Sequence, residues 1–258
     1  MSLPVFVINL PRSGERRRQA ARAFAALGVP IEFVDAVDGH ALGDLPVLST
    51  HQPHLGRVLS PGEVGCLESH LAVLHRIVSE HIPLACVCED DIRLSDDCGE
   101  VFRALAQSAA AAGRQTWDVL LLGHHSSRRT PEAGAVTAFW SSALTGRRRI
   151  ARVAEFAMGA YAYVVTRRGA ERLLGLARPL RIPMDWVTGY SPAAGVRLYA
   201  VTPPCVAPDT EGSGPSTICG RPPVGPLPVT SGLRAAAGRW TLNARRLGLW
   251  PTSFVRRY

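Results

Sequence analysis

Three carboxylates in a row, Glu89-Asp90-Asp91, follow directly after the apolar run Leu84 to Cys88. A short apolar run of this kind predicts a buried strand, so the acidic residues lie where that strand leaves the sheet. Side chains alternate along an extended segment, so we expect Glu89 and Asp91 to point one way and Asp90 the other. Neighbouring carboxylates raise one another's pKa, and a divalent cation relieves that repulsion. We therefore predict a Mg²⁺ or Mn²⁺ site on Glu89 and Asp91, because both ions prefer oxygen ligands and bridge diphosphates.

The acidic triplet has a second interpretation, a solvated turn that caps the following helix. Its position after a buried strand argues against that interpretation, because ligands of open α/β sheets gather at the carboxyl ends of the strands. In such a site the third carboxylate, Asp90, would orient a ribose or sugar hydroxyl.

The elements before the triplet form a β-α-β unit, which favours a parallel sheet. The pattern predicts a strand over Pro4 to Leu10, a helix over Glu15 to Leu27 and a second strand over Ile31 to Val34. A further helix begins at Ser60-Pro61-Gly62-Glu63, a capping box with proline at the first helical position, and ends near His81.

After the triplet the alternation of helices and strands continues, so the sequence predicts one α/β fold. Two segments break the pattern: residues 124–152 are expected to be irregular, and residues 201–232 a long loop or flap. The regular elements expected here are helices over 98–112 and 168–176 and strands over 117–122 and 160–165.

The composition excludes several kinds of chemistry. The net charge is +8, and the sequence contains no lysine, so a P-loop lysine, a pyridoxal Schiff base and a lysine-assisted nuclease centre are impossible. The arginine content is also what a GC-rich genome would produce. None of the six cysteines forms a Cys-x-x-Cys pair, so a zinc site is not predicted. No apolar run is long enough to span a bilayer and the first ten residues lack signal-peptide features, so a cytosolic location is expected.

Seven stretches occur in the order in which they stand in one known family, and together they span about residues 5–220. They are VFVINLPRSGERR (5–17), FVDAVDG (33–39), LSPGEVGCLESHLAVLHRIV (59–78), CVCEDDIRLS (86–95), WDVLLLG (117–123), GAYAYVVTRRGAERLL (159–174) and PMDW (183–186). By these stretches the chain resembles glycosyltransferase family 25, the lipopolysaccharide β-galactosyltransferase group. The segment 203–219 matches the closing loop of that family only loosely, through Ser213, Ser216 and Thr217.

The resemblance implies a GT-A-like nucleotide-sandwich over residues 1–222, with a mostly parallel Rossmann-type sheet. It also implies a UDP-sugar donor, most often UDP-galactose, and inversion at the anomeric carbon. By it, Glu89-Asp90-Asp91 stands in for the usual Asp-x-Asp, and Asp185 matches the acidic residue of the Pro-x-Asp-Trp block. One carboxylate must take the proton of the acceptor hydroxyl, and we expect Asp185 to be this general base, with Asp90 second. The predicted donor-binding residues are Asn9, Arg12, Arg16, Asp35, Ser69, His70, Glu89 and Asp90.

These residues also have structural alternatives. Asn9 can form hydrogen bonds with backbone groups at a strand end, His70 can be a semi-buried core histidine, and Asp185 can cap a helix or contact Trp186. Arg12 and Arg16 can form a solvated helix start, although arginines there oppose the helix dipole unless an anion binds. Ser69 falls off the apolar stripe of its helix and is therefore expected to be free for a ligand.

The last segment, residues 223–258, is predicted to be a proline-rich linker followed by a basic amphipathic helix. Residues 233–258 carry six arginines and no acid, and the predicted helix 233–247 has one apolar stripe. Such a helix suits an anionic inner-leaflet surface, where the acceptor would be a lipid-linked saccharide or another hydroxylated molecule. The alternative is a helix that docks on the catalytic domain.

Two other function classes compete with the transferase. A metal-dependent hydrolase or phosphotransferase would use the same carboxylates without a sugar acceptor. A non-enzymatic, basic nucleic-acid-binding protein is compatible with the arginine content. It does not explain the acidic triplet, and the aromatic residues lie mostly in core-like runs, so no nucleic-acid partner is expected.

Overall fold

The computed structural model describes residues 3–42, 59–110, 115–126, 138–153, 157–180 and 183–209. Twelve strands lie in these ranges. They are β1 (Val5–Asn9), β2 (Glu32–Asp35), β3 (Leu84–Glu89), β4 (Ile92–Leu94), β5 (Val119–Leu121), β6 (His125–Ser126), β7 (Ala138–Thr145), β8 (Arg148–Val153), β9 (Ala157–Met158), β10 (Ala162–Thr166), β11 (Leu198–Thr202) and β12 (Val206–Pro208).

Eight of these strands form one sheet in the order β2-β1-β3-β10-β5-β11-β8-β7. Strand β1 pairs in parallel with β2 and with β3, and β5 pairs in parallel with β11, whereas β10 and β8 run against their neighbours. Six of the eight strands therefore run in one direction, and the predicted α/β fold class is confirmed. The strands β4 and β12, and β6 and β9, form two small antiparallel pairs outside this sheet.

Helices cover both faces of the sheet. They are α1 (Gly14–Ala26), α2 (Pro61–Ser79), α3 (Cys98–Ala110), α4 (Arg167–Leu180) and α5 (Met184–Tyr190). The core on one face is built by α2, α4 and α5, and the core on the other by α1 and α3. Side chains alternate between them along each strand, so Phe6 belongs to the first core and Val7 to the second.

The predicted start of α2 is confirmed in detail. The Ser60 hydroxyl accepts from the Glu63 backbone N–H, and the Glu63 carboxylate accepts from the Ser60 backbone N–H. Pro61 occupies the first helical turn. This reciprocal cap fixes where the helix begins, and with it the residues that α2 presents to the end of β3.

The expectation of irregular structure over 124–152 is wrong, because β7 and β8 form a hairpin at the sheet edge. Because β8 contains three arginines, its hydrophobic pattern did not indicate a strand. Arg148 is nevertheless buried: its guanidinium donates to Asp97 at 2.6 and 2.7 Å and to the carbonyls of Pro203 and Pro204 at 2.9 and 2.7 Å. These contacts satisfy the charge, so a charged residue can sit inside a strand.

The predicted loop over 201–232 is also partly wrong, since β11 extends to Thr202 and β12 covers Val206–Pro208. The remainder of that loop, the linker from residue 223 and the basic helix over 233–258 lie outside the described residues. Within the described ranges, no helix combines the length and apolar character that crossing a bilayer would require.

Candidate functional site

The carboxyl ends of β1 and β3 meet at one edge of the sheet. The two strands are parallel neighbours, with Ile8 paired to Glu89, so Asn9 and the acidic triplet come together there. The Asn9 amide donates to Asp90 Oδ2 at 2.6 Å and to the Ser13 carbonyl at 3.3 Å. Asn9 therefore ties the triplet to the turn that begins α1.

Asp90 is held inside this corner. Its side chain is 10% exposed and hydrogen-bonded to Asn9, and Arg16 Nη1 lies 3.4 Å from Asp90 Oδ1. Burial raises the pKa of Asp90 above its ordinary value, although the hydrogen bond from Asn9 and the charge of Arg16 act in the other direction. Asp90 is thus a braced carboxylate whose oxygens already have partners.

Glu89 and Asp91 face open space, and Asp90 lines part of the same space, so the expected alternation does not separate the three carboxylates. Asp91 Oδ2 lies 3.3 Å from Arg16 Nη1, and its side chain is 26% exposed. Burial and the negative charge of Glu89 raise the pKa of Asp91 to about 7. Two carboxylates that disfavour each other's charge, with hard oxygen atoms turned to a cleft, have the donor set that Mg²⁺ or Mn²⁺ uses.

A buried network supports Glu89 from behind. His70 Nε2 lies 3.2 Å from Glu89 Oε1, and its Nδ1 lies 3.1 Å from the Tyr163 hydroxyl. The Cys66 thiol donates to the same carboxylate oxygen at 3.7 Å. Burial raises the pKa of the Tyr163 hydroxyl and of the Cys66 thiol well above their ordinary values, so both are protonated at neutral pH.

Two clefts adjoin at the triplet. The first lies between the end of β1, the loop 36–40 and α2, and Arg12, Arg16 and Asp90 line it. The second lies beside it and is lined by Glu63, Tyr161, Asp185 and Pro208, among others. Cys66, Glu89 and Asp91 line both clefts and therefore form the wall between them.

Asp185 lines the second cleft together with this wall. It lies in the first turn of α5, and its Oδ1 accepts from the Ala160 backbone N–H at 2.8 Å. The segment that follows β11 also reaches the second cleft, because the Asp209 backbone N–H donates to the Asp91 carbonyl at 2.7 Å. The structure thus brings Asp185 to the same site as the triplet, although about 95 residues separate them in the sequence.

The remaining predicted donor-binding residues differ in their placement. Arg12 lines the first cleft, is half-exposed and forms an ion pair with Asp38. Asp35 ends β2, but its side chain is 76% exposed and lies 4.0 Å from Arg17, away from the cleft lining. Its role in donor binding remains a prediction without geometric support.

The expectation that Ser69 is free for a ligand is wrong. Its hydroxyl is buried, donates to the Gly65 carbonyl at 2.6 Å and accepts from the Val37 backbone N–H at 2.8 Å. Both bonds tie the loop 36–40 to α2. A serine that falls off the apolar stripe of a helix can serve a neighbouring loop as well as a ligand, which the pattern alone does not distinguish.

Two glycines allow the loop 36–40 to lie directly on α2. A Cβ on Gly39 would lie 1.6 Å from the Pro61 carbonyl oxygen, and a Cβ on Gly65 would lie 2.5 Å from the Val37 carbonyl oxygen. Backbone therefore packs on backbone where the loop 36–40 meets α2. The spacing of Gly65, Cys66 and His70 along one helix was visible in the sequence, but the loop that covers them was not.

The match to known proteins is consistent with this geometry. The model of the family described as Glycosyltransferase family 25 (LPS biosynthesis protein) matches residues 2–188. The chain belongs to glycosyltransferase family 25. The resemblance seen in the sequence motifs is thereby confirmed.

Family 25 relatives differ in what their names state. A probable inactive glycosyltransferase 25 family member 3 from Bos taurus is 30% identical over 191 residues, and procollagen galactosyltransferase 1 from Danio rerio is 28% identical over 191 residues. Each match covers 70% of this chain and 30% of the relative. The chain thus spans less than a third of the length of these curated relatives, one of which is named as inactive.

Among solved structures, mannose-1-phosphate geranyltransferase from Thermus thermophilus is similar with a TM-score of 0.37 and 14% identity. The similarity covers 78% of this chain and 73% of that chain. It is too slight to carry a structural argument about this family 25 member.

Proposed function

We propose that this family 25 chain is an inverting, metal-dependent glycosyltransferase that moves a hexose, with galactose the first choice, from a UDP-sugar to an acceptor hydroxyl. The observation that carries the proposal is the shared wall: Glu89 and Asp91 line two adjoining clefts at once. A transferase needs such a division, because donor and acceptor must reach one reaction centre from different sides.

The first cleft suits the donor. Arg12 and Arg16 line it and can attract a diphosphate. Asp90 also lines it, is held by the buried Asn9 behind it, and would lie near the ribose. The same cleft contains the acidic triplet, which would repel that diphosphate. A divalent cation on Glu89 and Asp91 offsets the repulsion, and when bound it neutralises charge on the departing diphosphate.

The second cleft suits the acceptor. Its carboxylate Asp185 accepts a hydrogen bond from Ala160 N, so it is held in place as an oxygen acceptor. A general base must lie within hydrogen-bond reach of the attacking hydroxyl. Asp90 is less suited to that task, because it is bound by Asn9 and Arg16 and does not line this cleft. We therefore assign the base to Asp185.

The arrangement favours inversion over retention. An acceptor in the second cleft would approach the anomeric carbon from the side opposite a diphosphate in the first cleft. A single displacement then inverts the configuration, with the hydroxyl proton passing to Asp185. A separate carboxylate nucleophile, which a retaining double displacement uses, is not required.

The acceptor and its location follow from the sequence rather than from the site. A lipid-linked saccharide at the inner leaflet, met through the basic segment 233–258, remains our first proposal. A small hydroxylated metabolite or a peptide is compatible with the same cleft. The acceptor cleft is lined by the carboxylates of Asp185, Glu89 and Asp91, so acceptors that donate several hydrogen bonds are favoured.

A transfer assay with product mass measurement tests the proposal. UDP-sugars are offered with Mn²⁺ and a panel of acceptors to the wild type, Asp185→Asn and the matched control Asp96→Asn, an aspartate outside both clefts. We expect Asp185→Asn to bind UDP-sugar normally while kcat falls roughly 10²–10⁴-fold, the usual contribution of a general base. Undiminished kcat in Asp185→Asn would move the base elsewhere, and absence of any hexose transfer by the wild type would contradict the proposal.

A further inference from the structure

A second group of potential metal ligands lies behind the proposed donor site. Cys66 Sγ, His70 Nε2 and a Glu89 carboxylate oxygen all lie within 4.8 Å of one another. Cys66 and His70 are four residues apart on α2 and so share one helix face, which is turned toward the end of β3. Two ligands come from a helix and one from a strand end.

Two of the three distances between ligand atoms are close to those of a tetrahedral zinc centre. With Zn–N and Zn–O near 2.05 Å and Zn–S near 2.3 Å, tetrahedral geometry places N and O about 3.3 Å apart and S and O about 3.6 Å apart. The structure places His70 Nε2 3.2 Å and Cys66 Sγ 3.7 Å from Glu89 Oε1. These two distances need little change to surround such an ion. Cys66 Sγ and His70 Nε2 lie within 4.8 Å of each other, and a side-chain rotation that brings them to about 3.6 Å would complete the arrangement.

The surroundings favour metal binding over a simple core contact. The Tyr163 hydroxyl lies 3.1 Å from His70 Nδ1 and the tyrosine ring stacks on the imidazole, so the hydroxyl oxygen can accept from Nδ1–H and leave Nε2 unprotonated. Ligating histidines are usually oriented by such a partner on the other ring nitrogen. Cys66 and Glu89 also line both clefts, which gives an ion a path from solvent.

We propose that Cys66, His70 and Glu89 form a site for a thiophilic divalent cation such as Zn²⁺, and that occupation of this site inhibits the chain by withdrawing Glu89 from the donor site. On binding, Cys66 becomes a thiolate and its proton passes to solvent. The sulfur and nitrogen ligands select Zn²⁺ over the hard ions Mg²⁺ and Mn²⁺. The inhibitory consequence rests on the proposed transferase function, whereas the site itself does not.

The site is tested by spectroscopy on the full chain, with Co²⁺ as the probe and Zn²⁺ as the competitor. We expect Co²⁺ to give a sulfur-to-metal charge-transfer band in the near ultraviolet, and one equivalent of Zn²⁺ to abolish it. Cys66→Ala should remove the band and weaken Zn²⁺ binding by more than the roughly 10–100-fold that loss of a second-shell partner costs. His75→Ala, an exposed histidine on the same helix, is the control and should leave both unchanged.

A second variant keeps the test decisive if Cys66→Ala unfolds. Tyr163→Phe removes only the hydroxyl that faces His70, so it should keep the charge-transfer band and weaken Zn²⁺ binding by roughly 10–100-fold. Unchanged Zn²⁺ affinity in folded Cys66→Ala, or no thiolate band in the wild type, would overturn the site. If Zn²⁺ inhibits transfer and excess Mn²⁺ relieves that inhibition, the result supports the proposal that Zn²⁺ withdraws Glu89 from the donor site. A thiolate band without any transfer activity would leave the metal site standing and contradict the proposed function alone.

Discussion

Two acidic sites in this protein, Asp118 and the triplet Glu89-Asp90-Asp91, have carboxylate pKa values that shift in opposite directions. Asp118, just before β5, is fully buried and receives hydrogen bonds from the guanidinium groups of Arg168, Arg172 and Arg197, at distances between 2.6 and 3.3 Å. Burial alone would raise its pKa, but the bonds from Arg197 and Arg168 lower it below the ordinary value. The triplet after β3 has raised pKa values at Asp90 and Asp91 instead.

The difference separates a structural charge from a functional one. The arginine cluster satisfies Asp118 and joins α4 to the start of β11, so its charge is balanced within the fold. In the triplet, Asp90 and Asp91 share the charge of Arg16, all three carboxylates line the first cleft, and Glu89 and Asp91 line the second as well. A cluster whose charges are left unbalanced next to a cavity is a candidate binding site, whereas a balanced one need not be.

The largest effect is expected when the unbalanced cluster loses a charge. Asp91→Asn should reduce transfer about 10²–10³-fold, because a group that helps to stabilise transition-state charge is lost. It should also abolish the dependence of UDP binding on Mn²⁺, which calorimetry measures. Asp96→Asn is the control. Full activity with retained metal dependence in Asp91→Asn would assign the cation to other ligands.

The balanced cluster should respond in stability rather than in binding. Asp118→Asn leaves three arginines without a counter-charge, and loss of one partner of a buried pair costs about 3 kcal/mol in the free energy of unfolding. We choose the lower end of the usual range because Arg168, Arg172 and Arg197 are 51, 40 and 38% exposed and can be solvated. Urea unfolding measures the loss. Below the melting transition, Asp118→Asn should bind UDP as tightly as the wild type does. A loss of UDP affinity without a loss of stability would contradict the assignment of Asp118 to structure rather than to binding.

The two clusters should give opposite pH dependences of stability without metal. The pKa of Asp91 is about 7 in the folded chain against an ordinary 3.8, so between these values the folded state holds a proton that the unfolded state releases. Stability from this group therefore falls as pH rises from about 4 to about 7. Asp118 has a lowered pKa, so its contribution is present above about 4 and is lost as pH falls.

Thermal melting of the metal-free variants at pH 5 and pH 8 measures these slopes. Asp91→Asn should melt higher than the wild type at pH 8, by about 2–4 °C for each kcal/mol relieved, and the gain should shrink at pH 5. Asp118→Asn should melt lower than the wild type at both pH values. An Asp91→Asn variant that melts below the wild type at pH 8 would show that this carboxylate is already balanced in the fold.

Local signals in the sequence predicted what depends on local chemistry. The capping box at Ser60 and Glu63 and the apolar run before Glu89 each carry their own physical reason, and both elements lie where expected. The strand β8 was missed because the charge of Arg148 is satisfied by Asp97 and two proline carbonyls that lie far away in the sequence. A local sequence pattern cannot indicate that a buried charge has partners so far away.

The candidate site shows the same limit. The triplet was predictable from charge repulsion after a buried strand, and Asp185 entered through the family resemblance. That Glu89 and Asp91 form a wall between two clefts depends on how β3, α2 and α5 meet. The hydroxyl of Ser69 accepts a hydrogen bond from the loop 36–40, 32 residues away in the sequence. The position of Ser69 on its helix therefore could not show whether the hydroxyl is free for a ligand.

The most direct measurement is the affinity of UDP for the full chain, determined by calorimetry with and without Mn²⁺ and repeated on Asp91→Asn. If the wall of Glu89 and Asp91 holds a divalent ion against a diphosphate, Mn²⁺ should tighten UDP binding to the wild type by at least tenfold, about 1.4 kcal/mol. The variant should show no such gain. Equal UDP affinity with and without Mn²⁺ in the wild type would contradict the assignment of this wall to metal and donor.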